Sequence, residues 1–458
     1  MNLPPWIWWE KPAPSLRVRH AAALLRRGAL LEEVVFSGSS PLDRALQAYQ
    51  RANPKLGRND RLVLGTATYA LARNRETLRF SLSDTEPGRG ELLVLALLDA
   101  LALGPTAVPE LPGDPERWGR ALVALSRERR RCVKVLEAAS GASARAAGSE
   151  VQEALTRLFS VPGWWLDQGP WPTVGEALVE LGRLKAPQHL CLRVQRRDPS
   201  REQVLSELEA LGIPARLTQR SPWGIVVEGR HNVLATDLHR TGAVEVQDEG
   251  SQLVACLCDP RPDEKVLDLC AGAGGKVLAL ASMLGGRGSL VAYDPDRSRL
   301  DQTRRRARRA GLGNIRAVGD RAEVERLAPY DLVLVDAPCS SSGTLRRNPD
   351  VAWRWRPEEL TRLTELQTEI LDQAATLVAP GKWLVYVTCS LLDSENMIQL
   401  SRFLERHPEF SPQPVGDRRA HAPLLDLPGA EAGAFRLPAD LSRYDGDAFF
   451  LARLRKVG

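Results

Sequence analysis

From about residue 15 to 145, alanine and leucine recur at three- and four-residue spacing through "SLRVRHAAALLRRGALLEEVV", "PLDRALQAYQRA", "NDRLVLGTATYALARNRETLRF", "ELLVLALLDALAL" and "ERWGRALVALSRERRRCVKVLEAA". Gly, Pro and Ser clusters punctuate these runs, and the pattern predicts an all-helical domain. Between about 150 and 240 the period changes. "HLCLRVQRR" reads as a strand, and "SREQVLSELEALG" as a helix with a serine cap and a glycine stop. "ARLTQRSPWGIVVEG" reads as one or two further strands, so this stretch is a small α+β unit. From about 240 onward apolar runs alternate with helices: "KVLDLC", "SLVAYD", "IRAVGD", "DLVLVD", "KWLVYVTC" and the terminal "DAFFLARL". That alternation predicts a doubly wound α/β sheet with buried strands. The expected domains are 1–148, 149–238 and 239–458.

In a sheet of this kind ligands lie at the carboxyl ends of the strands, and the short motifs fall there. The first strand runs into "DLCAGAGGKV", where Gly272, Gly274 and Gly275 allow a tight turn close to a ligand at a helix N-terminus. Cys270 stands where a phosphate-binding loop has its first glycine, and Val277 replaces the hydroxyl residue that such a loop needs. Successive strands then end in Asp294, Asp320 and Asp336. Asp294 sits where a nucleoside-binding fold puts the carboxylate that holds ribose, and Asp320 suits an adenine amino group. Each acid alone is equally a turn or helix cap. Together with the glycine loop they describe an adenosine pocket, and the missing phosphate features favour S-adenosylmethionine (SAM) over a dinucleotide.

The fourth and fifth strands end in "DAPCSSSGTL" and "VTCSLLDSEN", each with a thiol at its mouth. If those strands are neighbours, Cys339 and Cys389 meet in one cleft. Two thiols beside a methyl donor suit methylation at carbon 5 of cytosine. One thiolate adds to carbon 6 and makes carbon 5 nucleophilic, and a second group helps the first thiol leave. Asp336 is placed to hydrogen-bond the ring edge at N3, and Lys276 to lower a thiol pKa.

Composition narrows the rest. The 458 residues suit several domains, and no run approaches the roughly eighteen uninterrupted apolar residues of a membrane span. "MNLPPWIWWEKPAPSLRVRH" lacks a basic start followed by an apolar stretch and cleavage site, so a cytoplasmic location is expected. The net charge of +5 is compatible with nucleic acid without being diagnostic. The arginine runs 129–131 and 304–309 suit either phosphate or a solvated helix face. Seven cysteines without a C-x-x-C pair or a nearby His cluster argue against disulfides and structural zinc, and no metal is expected. Cys256 and Cys258 fall in an apolar helical run and are expected in the core. The tryptophans of "WIWW" and "WRWR" either stack on bases or cap and border packed elements.

"DLCAGAGGK", "DAPCSSSGTLRRNPD", "LQTEILDQAATLVAPGKWLVYVTCSLLDSEN" and the upstream "GAVEVQDEGSQLVA" resemble the Sun/Nop2-type family of RNA cytosine-5 methyltransferases, over about 160–458. The resemblance implies a Rossmann-like SAM-dependent domain with Cys389 as nucleophile and Cys339 in product release. It also implies SAM contacts from Cys270, Ala271, Gly272, Ala273, Gly274, Gly275, Lys276, Asp294, Asp320 and Asp336. Here Gly272-Ala273 replaces the family's usual Ala-Pro, Gly381-Lys382 its usual Gly-Gly, and "DGDAFF" its usual D-G-F-F.

"LGRNDRLVLGTATYALARNRETLRF", with Asp60-Arg61 and Tyr69, is similar to the NusB-like RNA-binding domain of the RsmB branch, which modifies small-subunit ribosomal RNA. The middle unit resembles the family's small RNA-recognition-like domain, with Arg193, Arg196 and Arg197 facing phosphate. The expected partner is therefore RNA, either 16S ribosomal RNA or a small-subunit assembly intermediate, bound by a monomer. Transfer RNA as substrate and a non-catalytic assembly factor are the alternatives. A DNA cytosine-5 methyltransferase would leave Cys389 without a role, and the glycine spacing excludes an oxidoreductase.

Overall fold

The structure, a computed structural model, describes residues 18, 21–38, 40–82, 90–103, 115–186, 188–195, 199–229, 231–416, 419–437, 444 and 446–458. It forms two compact units, Met1–Pro187 with Thr344–Pro357, and Gln188–Gly343 with Glu358–Gly458. No helix among the described residues is long and apolar enough to cross a membrane.

The first unit is helical. The helix Glu91–Ala100 buries every residue from Glu91 to Leu98, and the helices Arg58–Ser81 and Pro115–Ala138 pack around it. Leu64, Leu71, Leu95 and Trp118 are fully enclosed there. The arginine run 129–131 divides among three surroundings, because successive helical residues point about 100° apart. Arg129 is buried and paired with Asp99 at 2.8 Å, Arg131 pairs with Glu128 at 2.9 Å, and Arg130 is exposed. The phosphate reading therefore survives for Arg130 alone. The segment Thr344–Pro357 is built into this unit. Buried Arg346 donates from Nε to the Ala186 carbonyl (3.1 Å), and Asp350 Oδ2 accepts the Leu42 N–H (3.2 Å). The Arg75 guanidinium lies 4.3 Å from the Trp353 ring, so this tryptophan of "WRWR" packs on a protein cation. "WIWW" lies outside the described residues.

The second unit holds two sheets. The smaller comprises β1 (Leu190–Val194), β2 (Ala215–Leu217), β3 (Gly224–Val227) and β4 (Val244–Val246), in the antiparallel order β2-β3-β1-β4. The helix Arg201–Ala210, capped by Ser200 as expected, covers it with Val204 and Leu208. Strand alternation sends Leu192 and Val194 into that core and Arg193 to the opposite face. That face is covered too. Arg193 is only 2% exposed, with Nε donating to Gln247 Oε1 and Nη1 to Gln195 Oε1 at 2.8 Å. The expectation that Arg193 faces phosphate is thus corrected. Arg196 and Arg197 lie outside the described residues.

The larger sheet contains β5 (Lys265–Asp268), β6 (Ser289–Tyr293), β7 (Ile315–Val318), β8 (Tyr330–Asp336), β9 (Val378–Thr388), β10 (Phe410–Pro412), β11 (Ala434–Leu437) and β12 (Phe449–Lys456). Its order is β10-β12-β9-β8-β5-β6-β7, with β11 beside β12. The run from β7 through β5 to β9 is parallel, and β12 is antiparallel to β9. The chain leaves β5 toward β6 and β7, then returns on the other side to β8. That reversal opens a crevice at the carboxyl end of β5. The helix Glu249–Cys258 buries Cys256 and Cys258 against the sheet, as expected. Gly381-Lys382 falls where the β8–β9 register shifts, and Gly381 takes φ +73° there, so the departure from Gly-Gly sits in an irregular edge remote from the strand mouths.

Candidate active site

The glycine loop joins β5 to the helix Gly275–Met283. Gly272 and Gly274 have φ of +52° and +87°, a region that costs other residues strain. A Cβ on Gly274 would stand 2.7 Å from Thr303 Oγ1, whereas one on Gly272 would meet nothing within 4 Å. Gly272 is therefore needed for its dihedral and Gly274 for both dihedral and space. The loop is braced from behind. Thr303 Oγ1 donates to the Gly272 carbonyl (3.2 Å), and Arg306 Nη1 to the Ala273 carbonyl (2.7 Å). Arg306 and Arg309 both pair with Glu245, whose side chain is 2% exposed, so two of the five arginines of the "RRRARR" run are structural; Arg304 pairs with Asp301 at 2.7 Å, and Arg305 and Arg308 are exposed.

Asp294, at the end of β6, accepts the Gly272 N–H at 3.0 Å and the Asp296 N–H at 2.8 Å, which ties the second strand end to the loop. Asp320, beyond β7, is exposed and caps a short helix through the Ala322 N–H (3.1 Å). Asp336 ends β8 and pairs with Lys276 Nζ at 2.7 Å. Asp268 is buried beneath the loop. Burial and the charge of Asp336 push its carboxyl up to about 7, and it accepts the Cys270 N–H at 3.2 Å. Burial works against the Lys276 charge, but Asp336 and the Cys389 thiol outweigh it, so its pKa is raised overall. Lys276 also lies 5.4 Å from the Phe449 ring. Burial, together with Asp268, Asp336 and Asp294, holds the Cys270 thiol well above its ordinary range. Cys270 is thus a loop residue without thiolate character.

The two motif thiols meet. Cys339 Sγ and Cys389 Sγ are 3.5 Å apart at the mouths of β8 and β9, with Cys339 buried and Cys389 partly exposed. The hydrogen bond to Cys389, burial and the Glu395 carboxylate all raise the Cys339 pKa, so Cys339 is protonated at neutral pH. Of the expected site residues, Asp294 is joined to the loop through the Gly272 N–H, Asp336 to the helix that follows the loop through Lys276, and Cys339 to Cys389. Asp320 stands at the mouth of β7, where its carboxylate caps the helix that follows.

The sequence reading missed the polar network behind the thiols. Glu395 accepts from the Ser340 N–H (2.8 Å), Ser340 Oγ (2.6 Å), Ser390 Oγ and Gln367 Nε2 (3.0 Å). Asn396 accepts from Thr388 Oγ1 (2.6 Å) and donates to the Ser390 carbonyl (3.0 Å). The signal was an acid-amide pair, Glu395-Asn396, five and six residues beyond T-C-S, in a stretch that reads locally as an ordinary turn. Gln247 was missed as well. Its Nε2 has no hydrogen-bond partner among the described residues and lies 3.8 Å from where a Gly275 Cβ would be.

Residues 255–455 match the family model described as 16S rRNA methyltransferase RsmB/F, and residues 161–234 match the ferredoxin-like domain of RsmF/B-like methyltransferases. A probable ribosomal RNA small subunit methyltransferase B from Bacillus subtilis is 34% identical over 281 residues, 59% of this chain and 61% of that protein. The ribosomal RNA small subunit methyltransferase B of Citrobacter koseri is 33% identical over 317 residues, 67% of this chain and 70% of that one. Among solved structures, a methyltransferase homolog protein from Pyrococcus horikoshii superposes with a TM-score of 0.57 at 25% identity, covering 68% of this chain and all of that one. The matched part of this chain thus spans about three fifths of the length of the Bacillus protein.

Proposed function

The chain belongs to the RsmB/F methyltransferase family, and from that premise we propose that it methylates carbon 5 of a cytosine in small-subunit ribosomal RNA. The observation that carries the chemistry is the pair of thiols 3.5 Å apart at the mouths of adjacent parallel strands, beside a glycine loop and its carboxylates.

S-adenosyl-L-methionine is the methyl donor, supplying an electrophilic methyl group to carbon 5. The residues fit it. A Cβ on Gly272 would meet nothing within 4 Å, so the loop backbone there is open to a ligand, Asp294 beside it is the proposed ribose acceptor, and Asp320 at the mouth of β7 the proposed adenine contact. Cys389, the more exposed thiol, adds as thiolate to carbon 6 of the cytosine, forming a carbon–sulfur bond and pushing electrons toward carbon 5. Attack at carbon 6 places charge on the ring, N3 takes a proton from water, and the N3–H then donates to Asp336, which Lys276 holds in place. After transfer the proton on carbon 5 must leave before the carbon–sulfur bond can break. That proton passes to solvent water, the electrons of the C–H bond re-form the carbon 5–carbon 6 double bond, and Cys389 leaves as thiolate. Cys339, held protonated 3.5 Å away, assists by giving its proton to that leaving thiolate. The target base must be unstacked to reach a thiol, so the substrate is a loop or a flipped base.

Residues 1–148, a part of the helical unit, are the proposed NusB-like RNA-binding domain, 149–238 the proposed RNA-recognition-like domain, and 239–458 the proposed catalytic domain. The exposed Arg305 and Arg308 supply phosphate contacts. The test is methyl transfer from tritiated donor to unmodified 16S ribosomal RNA, followed by nucleoside digestion. Label in 5-methylcytidine is expected. Label in any other nucleoside, or in transfer RNA alone, overturns the assignment.

A further inference from the structure

We propose that Glu395 is a positioning residue that staples the two thiol-bearing loops together and so sets the separation at which Cys339 assists the release of Cys389. The inference rests on the reading of Cys339 and Cys389 as the reacting pair.

Glu395 lies outside both cysteine motifs, yet its carboxylate takes donors from each. Oε1 accepts the Ser340 N–H (2.8 Å) and Gln367 Nε2 (3.0 Å), and Oε2 accepts the Ser340 and Ser390 hydroxyls. Ser340 directly follows Cys339, and Ser390 directly follows Cys389. One carboxylate therefore fixes the residue beside each thiol. The side chain is wholly buried, with 0% exposure, and its position is itself fixed, because the Tyr386 hydroxyl donates to the Glu395 carbonyl at 2.6 Å. Gln367 adds a second hold on the first loop by donating to the Pro338 carbonyl at 2.9 Å.

The first loop needs such a hold. Ser341 takes φ +57°, a conformation that costs a residue with a side chain about 1–2 kcal/mol. A buried carboxylate is also costly unless fully hydrogen-bonded, and four donors meet that requirement here. Removing the carboxylate takes this acceptor from the Ser340 N–H and from one of the two Gln367 amide hydrogens, the other staying on the Pro338 carbonyl. The loops then relax apart. Glutamine differs in keeping one oxygen for those N–H donors, while its amide N–H can donate to the serine hydroxyls, which accept as readily as they donate.

Three readouts test this: turnover on RNA, SAM affinity by calorimetry, and the rate at which diamide couples Cys339 to Cys389, followed by peptide mass spectrometry. Glu395→Ala is expected to bind SAM like wild type, to lose about 100-fold in turnover, and to form the Cys339–Cys389 disulfide at least about tenfold more slowly. Glu395→Gln is expected to stay within about tenfold of wild type in turnover. If Glu395→Ala does not fold, Glu395→Asp, one methylene too short to span both loops, takes its place with the same expectation. Wild-type turnover and coupling in the folded variant would overturn the proposal. So would parallel loss of SAM affinity in Glu395→Ala and Glu395→Gln alike, which marks a general structural role. Should wild type itself fail to methylate RNA, the functional reading falls, and the diamide rates still decide whether Glu395 holds the thiols together.

Discussion

Asp268→Asn should change how the second unit's stability responds to pH. Asp268 is 1% exposed beneath the glycine loop, and burial followed by repulsion from Asp336 pushes its carboxyl from 3.8 to about 7. The folded protein therefore holds this proton more tightly than the unfolded chain. Below about pH 4 both states are protonated and nothing is lost. Between about 4 and 7 each rising pH unit removes about 1.4 kcal/mol from the wild type, and above 7 the loss is complete. Asparagine does not titrate and keeps an oxygen for the Cys270 N–H. The variant's stability relative to wild type should thus rise by about 3 kcal/mol between pH 5 and pH 8. For a unit of this size that is a relative shift in melting temperature of about 5–10 °C. The assay is thermal melting of both proteins at pH 5, 6, 7 and 8 without added SAM, since a ligand contributes its own stabilisation. An equal difference in melting temperature at pH 5 and pH 8 would refute the reasoning, because Asp268 would then ionise like an ordinary carboxyl.

Two further substitutions probe the loop. Gly274→Ala places a methyl 2.7 Å from Thr303 Oγ1 at φ +87°, a strain of about 1–3 kcal/mol, and should weaken SAM binding roughly 5- to 150-fold by calorimetry. Arg306→Ala removes a donor to the Ala273 carbonyl and one of two cations on buried Glu245, and should cost about 1.5–3 kcal/mol, read as a lower melting temperature.

Much of the site was legible because its residues sit where local pattern and fold rule coincide. Each of Asp294, Asp320 and Asp336 ends an apolar run, and a parallel sheet brings such ends to one edge. Cys339 and Cys389, fifty residues apart in the chain, converge for the same reason, since β8 and β9 pair directly. Arg193 shows where that logic stops. Period-two alternation tells which face of β1 it occupies, but not that Gln195 and Gln247 cover that face. The arginines of 304–309 show the same limit on a helix, where Arg306 and Arg309 turn toward Glu245, some sixty residues earlier in the chain. Glu395 was illegible because its meaning lies in donors from Ser340 and Gln367, distant in sequence and joined to it only by the fold. The short strands β10 and β11, three and four residues long, carry too little pattern to be seen. That Thr344–Pro357 packs with the N-terminal helices depends on contacts such as Asp350 with Leu42, which no local pattern announces.

The central claim is that Cys389 attacks the base and Cys339 assists its release. Wild type, Cys389→Ala and Cys339→Ala should each be incubated with unmodified 16S ribosomal RNA and tritiated SAM, then resolved on denaturing gels. The account predicts a labelled protein–RNA adduct that survives SDS in Cys339→Ala, and neither adduct nor methylation in Cys389→Ala. An adduct that forms only in Cys389→Ala would contradict it and reverse the two roles.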